Sequence, residues 1–158
     1  MSDLQCPARI FVVRHGEAAY TTPDVMSDEG GTLTRRGREQ ALITATRMRE
    51  ERIAAVYSSP LQRALETAEI FGQVLSVPVT ALPGVEEFRV GQLAGQGFEL
   101  GHRVFGAWLS GQLGQQWPGA ETGNEVITRM VNALDYLSLR HHGEAVVVVS
   151  HGGSAPGG

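Results

Sequence analysis

Short apolar, β-branched runs alternate along the chain with longer stretches in which apolar residues recur at helical spacing. The runs predict strands at residues 9–14, 53–57, 78–82 and 145–150. The helical spacing predicts helices at 34–51, from Pro60 onward, at 102–113 and at 121–140. Because strands alternate with helices, we expect an α/β fold: a three-layer α/β/α sandwich with a mostly parallel sheet.

Local signals predict where the helices begin and which faces they bury. Thr34 is a plausible N-cap, and Ser59-Pro60 with Gln62 forms a capping box for the second helix. The stripe of that helix is either Leu61, Leu65, Ala68 and Phe71 or Leu61, Ala64, Ala68 and Leu75. The stripe of the last helix is Ile127, Met130, Leu134 and Leu137. Residues 83–101 are glycine-rich without a clear period and are predicted to be a long loop, often a functional feature.

Composition narrows the chemistry. The chain of 158 residues and 17.0 kDa fits one domain, residues 1–158. All 13 basic residues are arginine, which excludes a Walker-type phosphate loop, a Schiff-base lysine and a pyridoxal-phosphate anchor. The single cysteine, Cys6, excludes an internal disulfide and a cysteine-rich zinc cluster.

Charge and hydropathy indicate a cytoplasmic protein. The formal charge is −4 and the pI is near 5.7, so neither nucleic acid nor an anionic membrane is an expected partner. No apolar segment reaches the ~20 residues that span a bilayer, and residues 1–9 do not resemble a signal peptide.

Two predicted strands end in nearly the same way, with His15-Gly16 after the first and His151-Gly152 after the last. Ligands of open parallel sheets bind beyond the carboxyl ends of the strands. If the two strands are neighbours, both imidazoles face one crevice, and the glycines leave room for a ligand to approach the backbone. The alternative is that each histidine is a partly buried structural residue.

Arginines add positive charge near these histidines. Arg14 closes an apolar strand, where burial without an anionic partner is costly. Arg63 lies near a helix N-terminus, which itself favours anions. Phosphate is the expected guest of such a pocket, unless Arg63 is a surface residue paired with Glu66 or Glu69. No His-Glu-x-x-His motif is present and aspartates are few, so we expect a metal-independent site with one imidazole as nucleophile.

Phosphoryl transfer to a histidine needs a proton donor for the leaving oxygen. Glu86 and Glu87 lie in the predicted glycine-rich loop, and a carboxyl beside an apolar neighbour such as Phe88 can keep its proton. Spacing alone does not choose between the two glutamates. A solvated pair of loop carboxylates is the alternative.

These motifs resemble the histidine phosphatase superfamily, also called phosphoglycerate mutase-like, from Arg9 to Gly153. The match lies in Arg14-His15-Gly16-Glu17, Ser58-Ser59-Pro60-Leu61-Gln62-Arg63, Glu87-Phe88-Arg89-Val90-Gly91, Pro118-Gly119-Ala120-Glu121 and Val149-Ser150-His151-Gly152-Gly153. The resemblance implies that His15 is phosphorylated, that Arg14, Arg63 and His151 bind the phosphoryl group, and that Glu87 rather than Glu86 is the acid. It implies no metal and no cofactor.

The resemblance has two departures. Relatives usually continue into a further helix, whereas this sequence ends in Ser154-Ala155-Pro156-Gly157-Gly158, so we expect the domain to lack the C-terminal helical segment. An uncovered apolar sheet face then predicts a homo-oligomer. Cofactor-dependent mutases generally carry an asparagine soon after the first motif, where this chain has Ala18 to Thr22.

The sequence therefore favours a phosphomonoesterase that acts on a small phosphorylated substrate through a covalent phosphohistidine. Phosphoglycerate mutase-type transfer and a non-catalytic phospho-ligand-binding protein are the alternatives. Among other residues, His102 is a weaker candidate for the site. His141 and His142 are expected to interact with the last carbonyls of their helix. Trp108 and Trp117 are expected to pack or to form a pocket wall.

Overall fold

The computed structural model describes residues 6–20, 31–91, 94, 98–116 and 118–152, with backbone only for 98–101. The predictions for Trp117 and for the end of the chain from Gly153 lie outside the described residues. The described strands are β1 (Arg9–Arg14), β2 (Ala18–Ala19), β3 (Thr32–Leu33), β4 (Ile53–Ser58), β5 (Val79–Ala81) and β6 (Ala145–Ser150). The described helices are α1 (Arg35–Arg47), continued by a 3-10 turn (Met48–Glu51), α2 (Gln62–Leu75), α3 (Phe98–Leu109) and α4 (Gly123–Arg140).

The central sheet has four strands in the order β1-β6-β4-β5, and each neighbouring pair is parallel. Its middle strand β6 is a valine-rich run buried along its whole length, as expected for a strand covered on both faces. β2 and β3 form a separate antiparallel pair. The predicted parallel sheet is confirmed.

Helices cover both faces of this sheet. On one face, Val147 and Val149 pack in a cluster with residues of α1 and α2, among them Ala45 and Phe71. On the other face, Val146 and Val148 pack with Met130 and Leu137 of α4. Alternate valines of one strand therefore supply both cores, and the three-layer α/β/α arrangement is confirmed.

The predicted start of α2 is wrong. The helix begins at Gln62 with Leu61 in the N-cap position and no side-chain cap. Ser59 is not an N-cap, because the chain is still extended there: its N–H donates to the carbonyl of Val149, 2.9 Å away. The buried apolar residues of α2 are Ala64, Ala68 and Phe71, a mixture of the two predicted stripes.

The cap of α1 at Thr34 is confirmed, since its hydroxyl accepts the N–H of Gly37 at 3.0 Å. α4 begins slightly later than predicted, with a capping box between Thr122 and Glu125. Its buried stripe is Val126, Met130, Ala133 and Leu137, so Ile127, 47% exposed, was placed on the wrong face. Met130 and Leu137 of the predicted stripe are confirmed and Leu134 packs against the core, so the prediction fails only at Ile127, whose place Val126 takes.

The predicted helix at 102–113 is shifted toward the N-terminus, because α3 spans Phe98–Leu109 and the chain then turns through Gly111 at a φ of 92°. The predicted loop is correspondingly shorter. Trp108 joins Phe88 and Phe105 in an edge-to-face cluster with centroid distances of 4.8–5.7 Å, which confirms its packing role. In the described part of the chain, no helix combines the length and apolar character that crossing a bilayer requires.

Candidate active site

The two histidines that follow strand ends lie side by side. β1 and β6 are neighbours with Arg14 opposite Ser150, and the N–H of His15 continues the ladder to the carbonyl of Ser150 at 3.1 Å. The next residue on each strand is a histidine, and the ring centroids of His15 and His151 are 5.1 Å apart. The sheet register thus brings together two side chains separated by most of the sequence.

Arg63 is in direct contact with His15, one of the two histidines. It is the second residue of α2, is 4% exposed, and its Nε donates a hydrogen bond to Nε2 of His15 at 3.1 Å. Glu66, its alternative partner from the sequence, instead pairs with Arg38 at 3.5 Å. Arg63 is therefore a buried residue of the site, not a surface residue.

Arg14 is exposed, so the burial considered from the sequence is not found, and its side chain lies over the end of the neighbouring strand. A Cβ built on Gly152 would stand 3.3 Å from both Cζ and Nε of Arg14. The glycine after His151 thus leaves space for the Arg14 guanidinium. Two guanidiniums therefore lie close to two imidazoles in a chain of net charge −4. We call His15, His151, Arg14 and Arg63 the cradle.

Neither glycine has the predicted reason, since Gly152 makes room for Arg14 and Gly16 packs against α1. A Cβ on Gly16 would lie 2.3 Å from the carbonyl oxygen of Gly37 in α1, so it is packing against backbone that excludes a side chain there. The Gly16 N–H donates to the hydroxyl of Thr67 in α2 at 3.1 Å. The loop after His15 is therefore held by both helices of that face.

Ser59 is a site residue that sequence reasoning assigned to another task. Its hydroxyl is 2.8 Å from Nε2 of His151 and accepts the N–H of Leu61 at 3.2 Å. Ser59 follows β4, the neighbour of β6 on the other side. Three adjacent strand ends thus contribute His15, His151 and Ser59, and the order of strands was the missing signal.

Both imidazoles are held neutral. Burial, together with the charges of Arg63 and Arg14, lowers the pKa of His15 to about 4, although its bond to the Gly16 carbonyl partly offsets this. Burial and then the charge of Arg63 lower the pKa of His151 to about 3. Nδ1 of His15 is 2.7 Å from the Gly16 carbonyl, which only accepts, so Nδ1 carries the hydrogen and Nε2 keeps its lone pair.

An open cleft of about 440 Å³ lies in front of His15 and is lined by Arg14, Glu17, Tyr20 and Gln40. The Tyr20 ring lies 5.5 Å from the Arg63 guanidinium carbon. Glu17 is tied to α1, where its carboxylate accepts the hydroxyl of Thr34 at 2.9 Å. The cleft is thus lined by the His15 imidazole and by groups of both charges, Arg14 and Glu17.

The two candidate acids have separate surroundings. The Glu86 carboxylate accepts the N–H of Gly84 at 2.7 Å and lies 3.8 Å from Arg129. Glu87 is half-buried, and its carboxyl accepts the N–H of Phe88 at 3.2 Å. The same segment docks on the end of β6, where the Ser150 hydroxyl donates to the carbonyl of Val85 at 2.7 Å. Both carboxyls therefore accept a backbone N–H of their own loop, and the preference for Glu87 still rests on the family resemblance.

The remaining histidines lie elsewhere. His141 bonds Tyr57 at 2.7 Å and Glu144 at 3.1 Å, so the predicted contact of its side chain with the helix carbonyls is wrong. His102 is exposed on α3. Within the described residues, no group of three or more histidine, cysteine, aspartate or glutamate side chains is arranged to hold a metal ion.

The model of the histidine phosphatase superfamily (branch 1) matches residues 10–155, nearly the whole chain. The chain belongs to this superfamily. The cradle residues lie in the segments that carry the resemblance in the sequence, and the fold agrees with a solved structure, the YhfR protein of Bacillus stearothermophilus. That structure superimposes with a TM-score of 0.77 at 26% identity, over 93% of this chain and 75% of that one.

Two plant proteins are similar over most of this chain. A metal-independent phosphoserine phosphatase of Arabidopsis thaliana is 35% identical over 91% of this chain and 64% of its own length. Phosphoglycerate mutase-like protein 4 of the same plant is 32% identical over 92% of this chain and 67% of its own length. The chain therefore spans less than two thirds of the length of the first of these superfamily members.

Proposed function

We propose that this chain is a metal-independent phosphomonoesterase that acts through a covalent phosphohistidine at His15. The observation that carries the proposal is the cradle itself. A neutral imidazole nitrogen, Nε2 of His15, lies 3.1 Å from the Arg63 guanidinium, and the His151 ring lies 5.1 Å from the His15 ring. Arg63 and His151 are buried, and an acidic protein has little reason to bury a guanidinium beside imidazoles except to receive an oxyanion.

In the first step, Nε2 of His15 attacks the phosphorus of a phosphate monoester. The N–P bond forms as the ester P–O bond breaks, and Glu87 gives its proton to the leaving alcohol oxygen. Arg63, Arg14 and His151 contact the non-bridging oxygens, where negative charge is concentrated. The lowered pKa of His15, about 4, keeps its nucleophilic nitrogen unprotonated at neutral pH.

In the second step, water attacks the phosphohistidine. Glu87, now a carboxylate, takes a proton from the water, the new P–O bond forms and the N–P bond breaks. Inorganic phosphate leaves, and both His15 and Glu87 return to their starting forms. In both steps, guanidinium and imidazole groups stabilise the negative charge on the phosphoryl oxygens.

Hydrolysis of p-nitrophenyl phosphate in EDTA tests the proposal. We expect turnover, and alkaline quenching followed by peptide mass spectrometry should show one phosphoryl group on His15. His15→Ala should lower kcat by on the order of 10⁴-fold or more, because it removes the nucleophile. The matched control is His142→Ala, which removes a histidine of the turn between α4 and β6, at the opposite end of the sheet, and should retain the wild-type rate.

Three results would overturn the proposal: no turnover by the folded wild-type chain, turnover that EDTA abolishes, or a His15→Ala variant that keeps its activity. Phosphate that stabilises the chain against heat without any hydrolysis would indicate a phospho-ligand-binding protein instead.

A mutase differs only in the acceptor of the second step, because a substrate hydroxyl then takes the place of water. One relative bears the name phosphoglycerate mutase-like. We favour water, since the cleft before His15 is open and O-phosphoserine is a substrate class named for another relative. Interconversion of 3- and 2-phosphoglycerate, with and without 2,3-bisphosphoglycerate, separates the two outcomes.

Self-association stays a prediction. The apolar residues 10–13 of β1, a strand at the edge of the sheet, are only half-buried. A clean monomer mass by light scattering at micromolar concentration would contradict it.

A further inference from the structure

We propose that the Glu121–Arg129 pair is a positioning device that fixes the segment carrying Glu87 against the end of β6. The inference rests on the proposed function, in which Glu87 is the proton donor. Neither residue touches the cradle residues through a described hydrogen bond. Both act through the backbone of residues 84–89.

Arg129 of α4 holds the segment by its carbonyl groups. Its Nη1 donates to the carbonyls of Gly84 and Glu86, both at 2.8 Å, and its Nη2 donates to the carbonyl of Glu87 at 3.1 Å. A guanidinium is planar and rigid, so three carbonyls that meet one guanidinium have little freedom to move relative to each other. The carbonyl of the proposed acid is one of them.

Glu121 holds Arg129 and the next part of the segment. Its carboxylate accepts Nε of Arg129 at 2.9 Å and Nη2 at 3.0 Å, a two-point contact that fixes the plane of the guanidinium. The same carboxylate accepts the N–H of Arg89 at 2.8 Å, and the Glu121 N–H donates to the Arg89 carbonyl at 3.0 Å. The pair therefore binds backbone on both sides of Glu87.

The Glu121–Arg129 pair is largely buried. The Arg129 side chain is 19% exposed and that of Glu121 is 7% exposed. The hydrogen bonds and charge of Arg129, with the Arg89 N–H, hold the pKa of Glu121 below its ordinary value against the opposing effect of burial. A charged pair at this depth is a costly way to obtain stability alone, because apolar residues can fill the same volume.

The segment is also joined to the cradle. Val85 lies between the clamped residues Gly84 and Glu86, and its carbonyl accepts the hydroxyl of Ser150, the residue before His151. The charge of Arg129 contributes, after burial and the charges of Arg63 and His15, to the lowered pKa of His151. The clamp, Glu87 and the end of β6 thus form one connected unit.

The test compares two substrates that differ mainly in their leaving group, phenyl phosphate and p-nitrophenyl phosphate. The nitrophenolate leaves readily without a proton, whereas phenolate is a poorer leaving group and needs the acid. The ratio of kcat/KM for the two substrates therefore measures proton donation in the step that forms the phosphohistidine. A general loss of folded enzyme lowers both values and leaves the ratio unchanged.

We expect Arg129→Lys and Glu121→Gln to shift this ratio in the same direction as Glu87→Gln, by on the order of tenfold against phenyl phosphate. Arg129→Lys keeps the charge but loses the planar set of donors. Glu121→Gln keeps an acceptor for the Arg89 N–H, so one variant remains informative if the other unfolds. Urea denaturation of each variant reports its stability separately.

The matched control is Arg9→Gln. Arg9 also donates to both a carboxylate and a backbone carbonyl: to the Glu51 carboxylate at 3.2 Å and to the Glu51 carbonyl at 3.1 Å. This contact lies at the opposite end of the sheet. The Arg9→Gln variant should leave the ratio unchanged.

The outcomes separate the two proposals. If Glu87→Gln shifts the ratio and the two clamp variants, although folded, do not, the positioning role is overturned while the phosphatase proposal stands. Equal losses with both substrates mean that the pair serves stability only, which also overturns the positioning role. If the wild-type chain hydrolyses neither ester, the proposed function itself fails.

Discussion

The cradle and the segment that carries Glu87 are positioned by different means. His15 and His151 follow neighbouring parallel strands, and backbone hydrogen bonds of the sheet set the 5.1 Å between their rings. The segment 84–89 belongs to no strand or helix, and side chains from α4 and β6 hold its carbonyls one by one. A sheet positions residues at its end through its ladder, whereas a loop needs dedicated side chains for the same precision.

The largest expected effect separates phosphate binding from proton donation. Arg63→Gln should lower kcat/KM by on the order of 10³-fold with phenyl and p-nitrophenyl phosphate alike, because the guanidinium stabilises phosphoryl oxygens whatever the leaving group. Steady-state kinetics with both substrates measure this.

The control for Arg63→Gln is Arg35→Gln, which removes an exposed arginine paired with Glu39 at 3.3 Å and should leave kcat/KM near the wild-type value. If kcat/KM fell only with phenyl phosphate, which has the poorer leaving group, Arg63 would act in proton donation. The cradle and the Glu87 segment would then not have separate roles.

A smaller effect tests how the cradle is anchored by backbone packing. Gly16→Ala places a methyl group 2.3 Å from the Gly37 carbonyl oxygen, so we expect the free energy of unfolding to fall by about 1–3 kcal/mol. Urea denaturation measures the change. Gly106→Ala on α3 is the control, since nothing lies within 4 Å of its added Cβ, and it should gain about 0.5–1 kcal/mol. An unchanged stability of Gly16→Ala would show that the loop after His15 relaxes freely.

The smallest effect is a pH dependence that only the cradle predicts. In the unfolded chain histidine binds a proton near pH 6.5, whereas folding lowers the pKa of His15 to about 4 and that of His151 to about 3. The unfolded state therefore binds more protons in this window, and stability falls as the pH drops from 6.5 toward 4.

Each histidine contributes at most about 1 kcal/mol per pH unit, because solvent screens part of the effect. Urea denaturation at several pH values should show a shallower slope for His15→Asn than for the wild type. Equal slopes for wild type and His15→Asn would mean that the His15 pKa is not lowered by folding.

The periodicity of the chain predicted most of the fold, and its failures have a common cause. The four strands of the central sheet and the cap at Thr34 follow from local patterns that the structure keeps. Ser59 carries an N-cap pattern as well, yet the ladder with β6 extends the chain past it and the helix begins at Gln62. Where a sheet neighbour competes with a capping signal, the long-range contact decides.

Arg129 is a residue whose role the sequence pattern of α4 indicated only indirectly. It lies between Val126 and Met130 on the buried stripe of α4, so a charged residue interrupts an apolar face there. That interruption is a signal of a buried partner. The partner, the backbone of residues 84–89, became visible only when the loop was folded onto α4.

The amino-acid sequence by itself determined the α/β alternation and the chemical character of the cradle, because periodicity and residue type are local properties. It also placed His15 and His151 at strand ends. The tertiary structure alone decided that these strands are neighbours, that Ser59 contacts His151, and that a guanidinium on α4 holds the proposed acid's segment. Strand order and the docking of a loop depend on contacts between residues far apart in the chain, and no local pattern encodes them.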